Sequence, residues 1–433
     1  MPFIIIVFII IVLPKYITII YYICYNFFAE YWRERKAMEQ TGKGLVISMS
    51  ANFVLIGIFG SLLGPLALLI MEYYKITPVK FSCISTLIYI AGLSATLCIL
   101  FFGDRINKIK LLYTMMGILI VALFVFSSAP PFLVILMIGA VAGFSAIMTD
   151  VTTNAIVLET FTAHKGTLIP FLYSMHDLGT VLGPIYVTLL VMPAVAATFT
   201  KPYFILGIAG IPVLAYMIYS AKKIMPQIPH AHSERKSIAH GLTVFTKPKT
   251  WLIIAAGIGV FFVYTGMVVW MPAFAHLEVG ASFEVSGLTV TVFFLSAIIF
   301  RLFSPLFYKR ISALKCVFLF GSIYALCTCL FVFCTNIVML FLLIAVSGAS
   351  FGLVATSKVL FASDTFKEYP SKVAAFSLME FNIGSSVSPL LMSLIAERGS
   401  FGQAFLAIGI ICAGGLAALA FGLARQRKTD SGR

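Results

Sequence analysis

The 433-residue chain reads as an all-α membrane protein, with twelve spanning helices arranged as two parallel six-helix repeats. Three observations predict this class. Hydrophobic residues make up 61% of the chain and charged residues 11%, against roughly 45–50% and 25% in a soluble domain. Twelve apolar runs have the length of a spanning helix, about 20 residues. The two halves also repeat one another at a constant offset of 205 residues. With a mean hydropathy of +1.05, too little polar surface exists to cover one water-soluble core. That excludes a cytosolic enzyme, a nucleic-acid binder and a disordered scaffold.

The runs, taken in order, are 45–72, 81–103, 111–129, 132–158, 168–193, 203–221, 251–274, 285–307, 316–335, 337–362, 373–396 and 403–424. The loops between them are short except in the middle. There, 222–250 is polar, carries Pro226, Pro229 and Pro248, and divides the spans six and six. The expected organisation is therefore an N-terminal extension (1–44), a first six-helix half (45–221), a linker (222–250), a second half (251–424) and a tail (425–433). In the extension, apolar Phe3–Leu13 is interrupted by Pro14-Lys15 and has no basic stretch before it, which makes a poor signal peptide. It is either an extra helix or a translation-start artefact with Met38 as the true start, and the second is the expectation.

The formal charge is +14, from 30 Lys and Arg against 16 Asp and Glu. On a soluble protein this would point to an acidic partner; here the bases sit in loops between apolar runs and read as topology signals facing anionic lipid. Twenty-three of them fall on one side of the expected topology, and only Lys75, Lys80, Lys201 and Arg398 on the other. The positive-inside rule then puts the central loop and the C-terminus in the cytoplasm. The expected setting is that of a multi-pass integral protein of a bacterial inner (cell) membrane. The eight cysteines lie in or beside apolar segments and form no CxxC pair, so they read as small buried hydrophobes.

The repeat is legible without gaps. Arg105-Ile106 pairs with Arg310-Ile311, Lys110 with Lys315, Gly143 with Gly348, Thr160-Phe161 with Thr365-Phe366, Gly179 with Gly384 and Pro184 with Pro389. Odd-numbered spans of both halves start on the same side, so the repeats are parallel and related by an axis along the membrane normal.

Ionisable residues inside spans cost about 2.5–3.5 kcal/mol on insertion scales and need a partner or a function. Asp150, Asp177 and Glu380 lie about seven to nine residues from the cytoplasmic ends of their spans, roughly 10–14 Å deep at a helical rise. Arg301 and Lys358 lie nearer that edge, where long side chains can snorkel to water. Three polar stripes follow from helical spacing. They are Asp150 with Thr153, Asn154 and Gly143; Tyr173, His176, Asp177 and Thr180; and Ser377, Glu380, Gly384 and Ser388. Together they point to a water-accessible central cavity, although interhelical hydrogen bonding accounts for most membrane hydroxyls. The proton and substrate pathway is therefore assigned to Asp150, Asn154, Tyr173, His176, Asp177 and Glu380. His176-Asp177 is no hydrolytic dyad, because neighbours on a helix point about 100° apart and no GxSxG or HExxH accompanies them. No metal ligand set or cofactor is expected; His230 and His232 read as part of a solvated linker.

The loop after the second span reads Gly103-Asp104-Arg105-Ile106-Asn107-Lys108-Ile109-Lys110. It resembles the G-x-L-a-D-R-x-G-R-R/K motif of the major facilitator superfamily, with Leu100 and Asn107 in place of its two glycines. The second-half copy, Tyr308-Lys309-Arg310, lacks the acid. The resemblance implies a gating role for Asp104, Arg105 and Arg310, which would brace the inward side of the two halves. Gly143 followed by Asp150-Val151-Thr152-Thr153-Asn154 resembles the polar helix of the fucose–proton symporter family, with His176-Asp177-Leu178-Gly179 in the place of its polar-x-x-Gly. That implies a proton or sugar site at Asp150. The family's acid in the first span is replaced by Ser61-Leu62-Leu63-Gly64-Pro65. Gly179-x-x-x-Gly183-Pro184 resembles part of the antiporter motif of drug exporters, without its trailing glycines. The expected function is alternating-access transport of a small polar, sugar-like solute coupled to protons, by a monomer in the lipid bilayer. The alternatives are a drug or metabolite exporter and a non-transporting membrane sensor with the same fold.

Overall fold

A computed structural model describes residues 40–102, 106–161, 165–224, 243–366 and 370–431. Twelve long helices account for nearly all of them. They are α1 (Gln40–Tyr74), α2 (Pro78–Phe102), α3 (Lys108–Ser127), α4 (Phe132–Thr160), α5 (Lys165–Leu190), α6 (Thr200–Ile224), α7 (Pro248–Leu277), α8 (Phe283–Leu302), α9 (Ala313–Leu330), α10 (Ile337–Thr365), α11 (Pro370–Arg398) and α12 (Phe401–Ser431). Each matches one expected apolar run. Among the described residues, eleven are long and apolar enough to cross a membrane; the exception is α5, which carries Tyr173, Ser174, His176 and Asp177 near its middle. Helix α1 begins at Gln40, and residues 1–39 of the expected 1–44 extension lie outside the described residues. The eighth run, expected to 307, is divided: α8 stops at Leu302, and a five-residue helix, Ser304–Tyr308, follows.

Helix starts have local causes. The Asn107 side chain accepts from Lys110 N at 3.0 Å, Ser282 from Val285 N at 3.4 Å, and Asn336 from Met339 N at 2.8 Å. These acceptors satisfy first-turn N–H groups that have no partner within the helix. At α7, Pro248 stands in the first turn, where its missing N–H costs nothing.

The duplication is visible in the backbone. The helices α8, α9, α10 and α11 each begin 205 residues after α2, α3, α4 and α5, and α4 and α10 are both 29 residues long. Contacts follow the same rule. In the first half α1 packs on α5 and α6, and α4 on α2 and α3; in the second α7 packs on α11 and α12, and α10 on α8 and α9. The two halves meet through α2 with α11, α5 with α8, and α1 with α7. One crossing is repeated to the atom. A Cβ on Gly143 would collide with the carbonyl oxygen of Ile88, and one on Gly348 with that of Phe293. Only glycine lets these backbones approach so closely, as membrane helix packing favours.

The core runs along α1 and α7, which are the most buried helices. Outer faces carry exposed apolar groups such as Phe204, Ile208 and Tyr219 on α6 and Ile410 and Phe421 on α12. In water such a surface would aggregate; against lipid it is the solvated side.

Candidate functional site

Polar side chains inside this apolar bundle gather in three clusters. The first lies between α4 and α5. Asn154 donates through Nδ2 to Asp150 Oδ1 at 2.8 Å and to Tyr173 Oη at 2.9 Å, and Tyr173 donates to the same carboxylate oxygen at 3.4 Å. Helical geometry places Asp150 and Asn154 one turn apart on the same face, and α5 delivers Tyr173 opposite them. All three are half-buried. Both side-chain donors to Asp150 are uncharged. Asn154 Oδ1 is buried with no donor facing it, so the cluster leaves one acceptor open. Phe53 of α1 closes one side, edge-on to Tyr173 at 5.9 Å and to His176 at 6.4 Å.

The second cluster joins the halves. Arg301 Nη1 of α8 donates to Asp177 Oδ2 of α5, and His176 Nδ1 lies 4.0 Å from the other carboxylate oxygen. Arg301 was expected to snorkel; instead it turns to Asp177 and ties the two repeats. The guanidinium side chain keeps 31% of its surface open while the Asp177 side chain keeps 13%. Tyr264 of α7 lies within electrostatic reach of both, and of Tyr89 on α2. Around it stands an aromatic group from both halves: Tyr89 meets Phe381 at 5.6 Å, and Tyr264 meets Phe351, Phe294 and Phe381 at 5.0, 5.7 and 5.8 Å.

The third cluster belongs to the second half alone. Lys358 of α10 forms an ion pair with Glu380 of α11. Lys358 is 2% exposed and Glu380 0%, so the expectation that Lys358 snorkels to water is overturned. Its ammonium also lies 4.9 Å from the Phe261 ring centroid, an arrangement favourable to a cation. Space for the carboxylate comes from α7, where a Cβ on Gly257 would collide with Glu380 Oε2. The α11 stripe that suggested a cavity lining faces α7: Ser388 donates to Phe262 O at 2.6 Å and Gly384 packs on Ile258 and Phe261. The α4 stripe divides too, since Thr153 is fully buried and Gly143 faces α2.

The structure thus brings Asp150, Asn154 and Tyr173 together, sets His176 and Asp177 beside Arg301, and leaves Glu380 in a separate cluster. Asp104 and Arg105 lie outside the described residues, as do His230 and His232. Arg310 is exposed in the turn before α9, its main-chain N–H donating to Phe307 O at 3.0 Å. The cations Arg301 and Lys358 are the functional neighbours that sequence reasoning placed at the edge. A usable signal was the charge inventory, in which two cations within spans stand against three carboxylates within spans, because charges in a low-dielectric interior find each other.

The sequence profile described as the Major Facilitator Superfamily matches residues 49–333 and again 277–433. The chain belongs to the major facilitator superfamily. A comparison with curated protein sequences finds no match. Among solved structures, the chain is similar to a bacterial homologue of the human lysosomal transporter Spinster in an inward-facing, unoccupied conformation. The TM-score is 0.75 at 12% identity, over 88% of this chain and 97% of that one. It is also similar to a variant of the nucleoside transporter NupG, with a TM-score of 0.70 at 16% identity, over 88% and 99%. At such identities the likeness establishes the fold. Membership of this superfamily indicates a membrane transporter.

Proposed function

We propose that this superfamily member is a proton-coupled secondary transporter of a small, polar, sugar-like solute, working by alternating access as a monomer. The observation that carries the reading is the contrast among the three interior acids. Asp177 and Glu380 each face a cation, whereas the side-chain donors to Asp150 are the neutral Asn154 and Tyr173. A carboxylate with no countercharge in its hydrogen-bond shell is the one whose charge a proton most economically cancels inside a membrane. The buried, unpaired acceptor on Asn154 is one that a solute hydroxyl entering the cluster would satisfy, and the aromatic rings of Tyr89, Tyr264 and Phe381 suit a ring. The resemblance of the Asp150–Asn154 segment to the fucose–proton symporter helix points the same way. One of the similar structures is that of a nucleoside transporter, another ring-bearing polar solute.

The test is uptake into proteoliposomes with a panel of monosaccharides and nucleosides, with and without a pH gradient. Wild type should accumulate its solute only with the gradient. Asp150→Asn should retain solute exchange and lose gradient-driven accumulation. Undiminished accumulation in Asp150→Asn would leave Asp150 a structural brace. Direction of net movement separates uptake from export, and a sensor would move none of the panel.

A further inference from the structure

We infer that the solute carries a carboxylate, and that Arg301 is its anchor, held ready by Asp177 as a built-in substitute for the ligand. This rests on the transporter reading above, though not on Asp150 carrying the proton.

The argument begins with the place of the pair. Arg301 and Asp177 are 124 residues apart in sequence and lie on α8 and α5, one of the helix pairs through which the two repeats meet. A group that must close on a solute has to lie on that boundary. The two partners are also unequally covered. Among the described residues, Arg301 holds Asp177 through Nη1 alone, and a guanidinium has five N–H donors in a planar fork that fits a carboxylate through two parallel bonds. Its side chain is more than twice as open as that of Asp177, so donors remain for a second carboxylate to approach. His176 Nδ1, 4.0 Å from Asp177 Oδ1 and beyond hydrogen-bond reach, is the polar neighbour to which a released Asp177 would turn.

Local charge sets the class of anion. The groups facing Asp177 are His176 and Tyr173 on its own helix, Arg301 from α8, Tyr264 from α7 and, through Tyr173, Asp150 from α4; α1 brings Phe53. Arg301 is the one permanent cation among these groups and answers one carboxylate at a time, which suits a monoanion that takes the place of Asp177 and leaves the second charge of a phosphate dianion unmatched. The neighbouring Tyr264, Tyr89 and Phe381, packed edge to face, supply an apolar wall with two hydroxyls, suited to a carboxylated ring such as a sugar acid. The carboxylate that now occupies Arg301 has the chemistry expected of the ligand.

The test compares matched pairs that differ only in charge: glucuronate with glucose, galacturonate with galactose, gluconate with glucitol, and benzoate with benzyl alcohol. Binding is read by calorimetry and thermal shift on purified protein, and movement by proteoliposome uptake. In wild type at least one acid should bind more tightly than its neutral partner. Arg301→Gln should reduce that acid's affinity about ten- to a hundredfold, the range for a charge-assisted hydrogen bond to an ionised group, while the neutral partner changes little. Asp177→Asn should raise the acid's affinity by removing its competitor. Because Arg301→Gln leaves Asp177 without its cation and can fail to fold, the neutral double variant Arg301→Gln/Asp177→Asn is measured as well; it too should lose the preference for the acid. An acid preference that survives the double variant overturns the assignment, as does the lack of any such preference in wild type. If neutral members bind and move while the acids do not, the transporter reading stands and the carboxylate falls. If nothing binds or moves, both fall.

Discussion

Asp150 and the Lys358–Glu380 pair show how differently two interior acids can be held. Asp150 is stabilised by two neutral donors and stays half-buried, an arrangement compatible with gaining and losing a proton. Glu380 is sealed under α7 with Lys358 as its countercharge. Removing one member of such a pair leaves the other charge uncompensated, at a typical cost of about 3–5 kcal/mol, whereas replacing both can be close to neutral. Lys358→Met and Glu380→Gln should each lower the thermal unfolding temperature strongly. The double variant should recover most of the loss and keep transport. A double variant as unstable as the singles would mean that the pair is held by more than its charges. At the first cluster, Tyr173→Phe removes the weaker of Asp150's two donors, at 3.4 Å, and with it the acceptor of the Asn154 bond at 2.9 Å. It should shift the pH dependence of transport at a stability cost of about 1–3 kcal/mol, the usual net worth of two hydrogen bonds.

At the scale of helices, the glycines Gly143 and Gly348 fix the crossings of α4 on α2 and of α10 on α8. In both places the atom in the way is a main-chain carbonyl, which cannot rotate aside as a side chain can. Gly143→Val and Gly348→Val should therefore each cost at least the roughly 1–3 kcal/mol typical of overpacking, read as loss of thermal stability in detergent. Gly60 and Gly414 make the control, since a Cβ on either meets nothing within 4 Å. Gly60→Ala and Gly414→Ala should be neutral or slightly stabilising, because alanine is the better helix former. Equal damage at both kinds of site would show that flexibility of the glycine, rather than close approach, is what the helices require.

Across the whole molecule, besides the Arg301–Asp177 bond, a set of hydrogen bonds away from the Lys- and Arg-rich end joins the two repeats. Val79 N donates to Glu397 Oε1 at 3.0 Å, Ser82 Oγ to Pro389 O at 2.9 Å and Thr86 Oγ1 to Ser386 O at 2.8 Å. The Pro389 carbonyl also accepts from Trp270 Nε1 at 3.0 Å, so α2, α7 and α11 converge on one oxygen. We propose that these contacts close the far side of the transport path. Each bond is worth about 0.5–1.5 kcal/mol net, a several-fold change in a two-state population. Ser82→Ala with Thr86→Val should thus increase labelling of a reporter, Thr188→Cys, from the far side in a background without native cysteines; unchanged labelling counts against the closure. On the positive-inside reading of the Lys and Arg distribution, that far side is the outside of the cell. A fluorescent protein fused to the C-terminus should then fold and fluoresce in the cytoplasm, and a periplasmic reporter at the same position should be inactive.

The amino-acid sequence by itself determined the number of helices, their order and the duplication. Length and hydropathy decide which segments can satisfy their backbone in lipid, and a repeat offset is read along one chain without reference to any partner. Thus α3 starts at Lys108 and α9 at Ala313, and α4 at Phe132 and α10 at Ile337, each pair 205 residues apart in the chain and in the fold alike. The sequence also marked Asp150, Asn154 and Tyr173, since one-turn spacing puts the first two on a single face. Only the tertiary structure decided which cation answers which acid. Whether Glu380 lines a cavity or lies under α7 depends on the rotation of α11 about its axis, which Gly257 permits by leaving room for the carboxylate. Whether Arg301 reaches water or Asp177 depends on how α8 of one repeat is set against α5 of the other. Periodicity is a property of one helix, and these are properties of two: the energy of a buried charge is settled by its neighbour, which lies across the bundle and far along the chain.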